Sequence, residues 1–351
     1  MADKDLITEE GVSQFLLEGR YPSCSRVKRL PGGVGGFVYR AEPDPNSKIP
    51  SVIVKHVQPF AARLPSWKLD PARLEYEVKM LEFLSRSSMQ DSDIVRPPKL
   101  LHYDEQHQVV ITEDLGALPS LKGWFTPAIN PTTSEAIGHA LGRFLAKVHI
   151  STAGRQDLLS DFAGNADGRD LSATLYFKRL PSAAAKFGYA DDYFKEVARV
   201  GEAEVRESQE VLTLGDFWTG NVLVSTTPAL RLYPLDFEFA KAGTAAFDVG
   251  QMAAEMYCFA MFRDHEKGMV MLESFFRAYR EVTGSEELVD AAKVAIRIGA
   301  HLLMIIPSAW SNEADDEQIR EMVRKGASLI RIGWEGNSVE LRESIVESLL
   351  E

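Results

Sequence analysis

Leu212-Thr-Leu-Gly-Asp216-Phe-Trp-Thr-Gly-Asn221-Val-Leu-Val224, followed by Leu232-Tyr-Pro-Leu-Asp236-Phe-Glu238-Phe-Ala-Lys-Ala-Gly243 and then Phe247-Asp248, sets two polar clusters between short apolar runs. Apolar runs on both sides would hold these polar groups at the floor of a cleft. Burying carboxylates together is costly unless a metal or hydrogen bonds compensate. Phosphoryl transfer needs such a set: a carboxylate to orient or accept the proton of an attacking hydroxyl, and hard oxygen ligands to hold Mg²⁺ against the β- and γ-phosphates. Asp216 fits the first role, Asn221 and Asp236 the second. Two Asx-rich hairpin turns are the plain structural alternative.

Working upstream, Leu30-Pro-Gly-Gly-Val-Gly-Gly-Phe-Val-Tyr39 places Gly32, Gly33 and Gly35 between two strand-like runs. Backbone amides there can approach a phosphate closely, although a tight hairpin turn explains the cluster about as well. Ser-Val-Ile-Val-Lys55 ends an apolar run at the distance where kinase folds place the lysine that contacts the α- and β-phosphates. Glu77, with Leu81 and Leu84 four and seven residues beyond, is the expected anionic partner. Glu75 is its nearest rival, and a solvated surface pair is the alternative. Gln108-Val-Val-Ile-Thr-Glu113-Asp-Leu115-Gly116 reads as an apolar strand ending in a hinge, whose backbone at Glu113 and Leu115 could bind adenine; a surface loop also fits.

Outward from these motifs, short alternating runs at Val27–Leu30, Phe37–Arg40, Ser51–Val57, Lys99–Tyr103 and Gln108–Thr112 predict a small antiparallel sheet. One helix interrupts it, opened by Pro71 with Asp70 as N-cap. After Gly116 the pattern turns helical. Thr132 and Glu135 sit at capping-box spacing, and Ile137, Leu141, Phe144, Leu145 and Val148 form one apolar face. Strand-like runs around Gly215–Asn221 and Leu230–Leu235 break the helices, which resume from Ala245. The expected architecture is α+β in two lobes: 1–113, a sheet with one helix that binds nucleotide, and 114–351, a mostly helical lobe for catalysis and substrate.

Composition narrows the function. The 351 residues carry a formal net charge of -12, which would repel a phosphate backbone, so nucleic acid is not an expected partner. The opening MADKDLITEE lacks a basic-then-apolar signal, and no run of about 18 apolar residues could span a bilayer, so the expected location is the cytoplasm, without a membrane partner. Cys24 and Cys258 are too few for a disulfide framework or a cysteine zinc site, which leaves metal to oxygen ligands.

Together these residues resemble the aminoglycoside phosphotransferase/choline kinase superfamily, from about residue 25 to the C-terminal helices. Val52-Ile-Val-Lys55-His-Val-Gln-Pro-Phe60, Trp67, Arg73, Glu77 and Asp236-Phe-Glu238-Phe look like the methylthioribose kinase branch. Val27-Lys-Arg-Leu-Pro-Gly-Gly33, Gly164-Asn165, Ala183-Ala-Ala-Lys-Phe-Gly-Tyr189 and Gly215-Asp-Phe-Trp-Thr-Gly-Asn221 are closer to the fungal 4-hydroxytryptamine kinase branch. The resemblance implies a protein kinase-like fold using ATP and Mg²⁺, in which Lys55 binds the phosphates, Glu77 anchors it and Asp216 is the catalytic base. It further implies that Asn221 and Asp236 hold magnesium, that Glu238 adds a second carboxylate, and that Asp248 braces the catalytic loop.

The implied substrate is a small molecule with a hydroxyl, a hydroxytryptamine-like alcohol or phenol first and methylthioribose or another sugar second. A nucleotide-binding protein without catalysis is the alternative from another class; the presence of Asp216, Asn221 and Asp236 argues against it. Protein substrates are disfavoured because no Ala-Pro-Glu motif follows Asp236. Leu214 departs from the histidine usual in the superfamily at that position. Arg324-Lys325 would suit a sugar or be a solvated helix face. Met252, Glu255, Met256, Tyr257, Phe259 and Phe262 could wall an amine site or be core, and His149 is expected to be structural.

Overall fold

The structure is a computed structural model that describes residues 5–18, 24–43, 50–86, 94–284 and 288–350. These group into two compact units, one drawn from 1–87 and 97–118, the other from 88–96 and 119–351.

The first unit contains α1 (Glu9–Glu18), β1 (Cys24–Arg29), β2 (Phe37–Pro43), β3 (Val52–His56), α2 (Arg73–Leu84), β4 (Leu100–Asp104) and β5 (Val109–Glu113). The strands form one antiparallel sheet in the order β1-β2-β3-β5-β4. Their two-residue periodicity decides what each face carries. Phe37, Tyr39, Ala41, Val52, Val54, Val109 and Ile111 pack with Val12, Phe15 and Leu16 of α1 in one buried cluster. Lys55 is one residue out of phase with Val54 and so leaves the sheet on the opposite face, where it meets α2. That helix begins at Arg73 rather than at an Asp70 cap: the Asp70 carboxylate accepts from Ala72 N at 2.9 Å and caps the preceding turn instead.

The second unit is mostly helical. It runs through α3 (Leu121–Trp124), α4 (Pro131–Thr152), α5 (Gln156–Ala163), α6 (Ala166–Ala173), α7 (Leu180–Lys186) and α8 (Tyr193–Glu207). Four short strands follow, β6 (Val211–Thr213), β7 (Val222–Ser225), β8 (Arg231–Pro234) and β9 (Lys241–Gly243). The chain then forms α9 (Ala245–Phe262), α10 (His265–Thr283), α11 (Ala291–Met304), α12 (Ile306–Ala309), α13 (Asp316–Glu335) and α14 (Ser338–Arg342). Asn130, not Thr132, caps α4, accepting from Thr133 N at 2.7 Å with Pro131 in the first turn. Asn130 lies one residue before a proline pre-set for that turn, so it wins the cap over a Thr two residues further in.

Helix α4 packs unusually close to α10 because Gly138 and Gly142 share one face. A Cβ at either would stand 2.1 or 2.2 Å from the carbonyl oxygen of Met271 or Phe275. Helix α9 is buried on nearly all sides from Ala245 to Ala260, as its almost continuous apolar sequence requires. The fold is therefore α+β as expected. The stretch 215–221, however, is a loop closed by a 3₁₀ turn at Thr219–Asn221, and the strands flank it.

Candidate active site

Two antiparallel ribbons in the second unit, β6 with β9 and β7 with β8, bring two loops together. One loop joins β6 to β7 and carries Asp216; the other joins β8 to β9 and carries Asp236 and Glu238. The loops touch at Gly215, which has φ +85°, and where a Cβ would lie 2.0 Å from the Phe239 carbonyl oxygen. Only glycine satisfies both the backbone angle and the contact. The start of the first loop is held from α9: Asp248 accepts from Leu214 N at 2.6 Å and from Gly215 N at 3.2 Å. His149 sits behind it, 3.4 Å from Asp248 and 2.8 Å from the Tyr279 hydroxyl, wholly buried. The Leu214 side chain enters the core, and only its amide serves the loop. The second loop is held by Asn165, which caps α6 and donates 2.9 Å hydrogen bonds to the carbonyls of Glu238 and Ala240.

Asp216 is gripped at both oxygens. Asn221 Nδ2 donates to Oδ2 at 2.9 Å and to the Asp216 carbonyl at 3.0 Å, while Gln251 Nε2 donates to Oδ1 at 2.9 Å. Burial raises the carboxyl pKa to about 7, helped by the charge of Asp236 and opposed by the hydrogen bonds from Gln251 and Asn221. Asp236 stands at φ +65°, in the left-handed region. A carboxylate oxygen of Asp236 and one of Glu238 lie within 4.8 Å of each other, and Glu238 is buried. Because Asn221 commits its Nδ2 to Asp216, its side-chain carbonyl oxygen is the atom left to accept a hydrogen bond or ligate a cation. Asp236 and Glu238 thus gather carboxylate oxygens of the kind that suits a hard divalent cation, and the backbone carbonyl of Asn221 accepts from Leu235 N at 2.8 Å. At the far end of the loop, Thr219 donates to Glu255 at 3.2 Å, and Glu255 meets His301 at 3.0 Å. The Glu255 carboxyl is buried, which opposes ionisation, yet the His301 contact holds its pKa below the usual range.

In the first unit, Lys55 Nζ lies 2.6 Å from Glu77 Oε2, with both side chains about nine-tenths buried. Glu75 instead pairs with Lys79 at 2.8 Å on the exposed side of α2. Gly32 and Gly33 have φ of +119° and +65° in the turn between β1 and β2, and the Gly35 carbonyl accepts from Arg73 at 3.0 Å. Arg73 also donates to the carbonyls of Gln58 and Asp70, which ties the glycine turn to the start of α2. Glu113 ends β5, where its side chain accepts from Lys99 N at 3.0 Å, and Leu115 lies half-buried in the irregular segment beyond. Between them, burial works against the Asp114 carboxylate. Hydrogen bonds from Arg40, Ser51 and the Gly116 amide nevertheless keep its pKa below the ordinary value.

Asp216, Asn221, Asp236 and Glu238 are thus brought together in the second unit, and Lys55 and Glu77 in the first. Arg324 is exposed beside Glu321, on a solvated face of α13. Met252, Glu255, Met256, Tyr257 and Phe259 are core, as helical spacing most simply implies. Sequence reasoning missed Gln251 and the part played by Glu255, both in a helix so apolar that its polar residues were the available signal. It also missed Asp114, hidden inside a segment taken as a hinge.

The profile of the phosphotransferase enzyme family matches residues 37–289, well over half the chain. The chain belongs to this family. It is 31% identical over 350 residues to a 4-hydroxytryptamine kinase from Psilocybe cyanescens, covering 95% of each. A methylthioribose kinase from Bacillus mycoides is 28% identical over 292 residues, 76% of this chain and 69% of that one. Among solved structures, spectinomycin phosphotransferase in complex with ADP and spectinomycin superposes with a TM-score of 0.51 at 13% identity, over 95% of this chain and 99% of the other. The sheet-plus-helix first unit and helical second unit are the phosphotransferase fold, and the protein is a small-molecule phosphotransferase of this family.

Proposed function

We propose that this phosphotransferase moves the γ-phosphoryl group of ATP, with Mg²⁺, to the hydroxyl of a small aromatic metabolite of the hydroxytryptamine kind. The observation that carries the reading is the Asp216 carboxylate held between two side-chain amides, with the oxygens of Asp236 and Glu238 gathered beside it in the same unit.

In this mechanism Asp216 accepts the proton of the acceptor hydroxyl as its oxygen bonds to the γ-phosphorus. The bond from that phosphorus to the β–γ bridging oxygen breaks, and ADP leaves with the electron pair. Asn221, Asp236 and Glu238 would hold the magnesium ion, which when bound neutralises charge on the phosphate oxygens. Lys55 supplies a cation to the phosphates, and Glu77 fixes its ammonium in place. Gly32, Gly33 and Gly35 offer backbone amides to the same phosphates, and the backbone at Glu113 and Leu115 serves adenine. Leu214 in place of histidine does not weaken the reading, because the loop is braced through the Leu214 amide and no side-chain proton is needed there. Likeness over nearly the whole chain to a 4-hydroxytryptamine kinase supports the aromatic acceptor class.

The test is mass spectrometry of 4-hydroxytryptamine, methylthioribose, choline, fructosyl-lysine and kanamycin, each incubated with ATP, Mg²⁺ and the protein. A phosphoryl adduct on 4-hydroxytryptamine alone is expected. An adduct on a sugar would replace the acceptor class, and an absence of both adducts and ATP binding would overturn the reading.

A further inference from the structure

Helix α9 presents three buried polar side chains at positions 248, 251 and 255, a three-then-four spacing that keeps them on one face. Each grips a successive point of the Asp216 loop. Asp248 takes the amides of Leu214 and Gly215, Gln251 the carboxylate of Asp216, and Glu255 the hydroxyl of Thr219. Of the three, only Gln251 bonds to a side chain that the proposed reaction uses directly.

Gln251 is 2% exposed, and its Oε1 is buried with no hydrogen-bond partner. An orphaned buried carbonyl is unfavourable, and an unbranched apolar side chain in its place would avoid it. What the amide provides in return is the N–H on Asp216 Oδ1, 2.9 Å away. With Asn221 on Oδ2, two amides from different elements fix the plane of one carboxyl group. We propose that Gln251 is a positioning residue for phosphoryl transfer, locking the Asp216 carboxylate in the orientation that receives the proton of the acceptor hydroxyl. This rests on Asp216 as proton acceptor and adds how that carboxylate is aimed.

The test compares the whole protein with Gln251→Met, Gln251→Asn and Asp216→Asn. Turnover is followed with 4-hydroxytryptamine as acceptor and also as slow ATP hydrolysis, where water takes the acceptor's place. Gln251→Met is expected to lower kcat about 10- to 100-fold, the scale of a small misplacement of a reacting group, with KM for ATP unchanged and Tm equal to or above that of the native protein. Gln251→Asn, whose donor is one methylene short, should lose kcat in the same way, and it decides the matter if the methionine variant does not fold. An unchanged kcat overturns the inference. So does a joint fall of kcat, ATP affinity and Tm, which would mark an ordinary structural role. Full activity in Asp216→Asn would instead sink the reading of Asp216 itself; an inactive Asp216→Asn beside a fully active Gln251→Met sinks only the role of Gln251.

Discussion

Asp236 occupies a left-handed backbone conformation, φ +65°, that costs a non-glycine residue on the order of 1 kcal/mol or more. Aspartate tolerates it better than most residues, and the conformation turns the chain sharply between Leu235 and Phe237. Lys241, five residues on, carries a second local cost. Its ammonium group is buried against the Phe247 ring at 4.1 Å, and Nζ has no hydrogen-bond partner. Burial lowers its pKa to about 7 despite the attraction of Asp248, and the charge of Arg297 pushes the same way.

The sign of the resulting pH dependence follows. Below about pH 7 the amine is charged in both states, and folding bears the full cost of burying that charge. From there to the lysine's usual value, near 10.5, the unfolded chain still binds the proton and the folded one does not. Stability therefore rises with pH, by up to about 1.4 kcal/mol per unit from this group. Lys241→Met should then melt above the native protein near pH 6.5, with the gap closing as pH approaches 10. Parallel melting curves across that range would contradict the buried, partnerless amine.

At the scale of elements, the close seat of α4 on α10 is the most exposed to test. Gly142→Ala gains helix propensity worth about 1 kcal/mol, yet its Cβ would lie 2.2 Å from the Phe275 carbonyl oxygen. The helices must part, at a cost of about 1–3 kcal/mol for overpacking. A lower urea midpoint is expected, and an unchanged or higher one would mean that the helices are not in backbone contact there.

Elements also show where sequence reasoning worked and where it stopped. The five strands of the sheet were legible from their short apolar runs, most clearly in β2, where Phe37, Tyr39 and Ala41 bury one face and the register follows from the pleat; edge strand β4 has no buried residue. The caps of α2 and α4 were each misplaced by two residues: α2 starts after Ala72, which has no side-chain cap, and at α4 Asn130 and Thr132 compete, with only backbone geometry choosing between them. The loop 215–221 was read as strand-like because its apolar residues, Phe217 above all, are buried without being in a ladder. Spacing marked out Asp216 and Asn221, but nothing along the chain says that Gln251, 35 residues downstream of Asp216, reaches its carboxylate.

For the molecule as a whole, the proposed groups are divided between the two units. The first contributes Lys55, Glu77 and the glycine turn; the second contributes Asp216 and the oxygen donors. Each set is held by its own polar ties, Arg73 on the glycine turn in the first, Asp248, Asn165 and Gln251 in the second. No described helix is long and apolar enough to cross a membrane. The fold was legible because every motif that carries phosphoryl-transfer chemistry is compact in sequence. The acceptor class had no such motif of its own and was read from the resemblance alone.

The central claim is that Asp216 takes the acceptor's proton during transfer from ATP. The most direct test is the rate of γ-phosphoryl transfer to 4-hydroxytryptamine at saturating ATP and Mg²⁺, for the native protein and Asp216→Asn, with ADP affinity of both measured by calorimetry. The account predicts a fall in rate of about 10²- to 10⁴-fold, the usual worth of a general base, with ADP affinity unchanged. An Asp216→Asn protein that transfers phosphate at the native rate would contradict it.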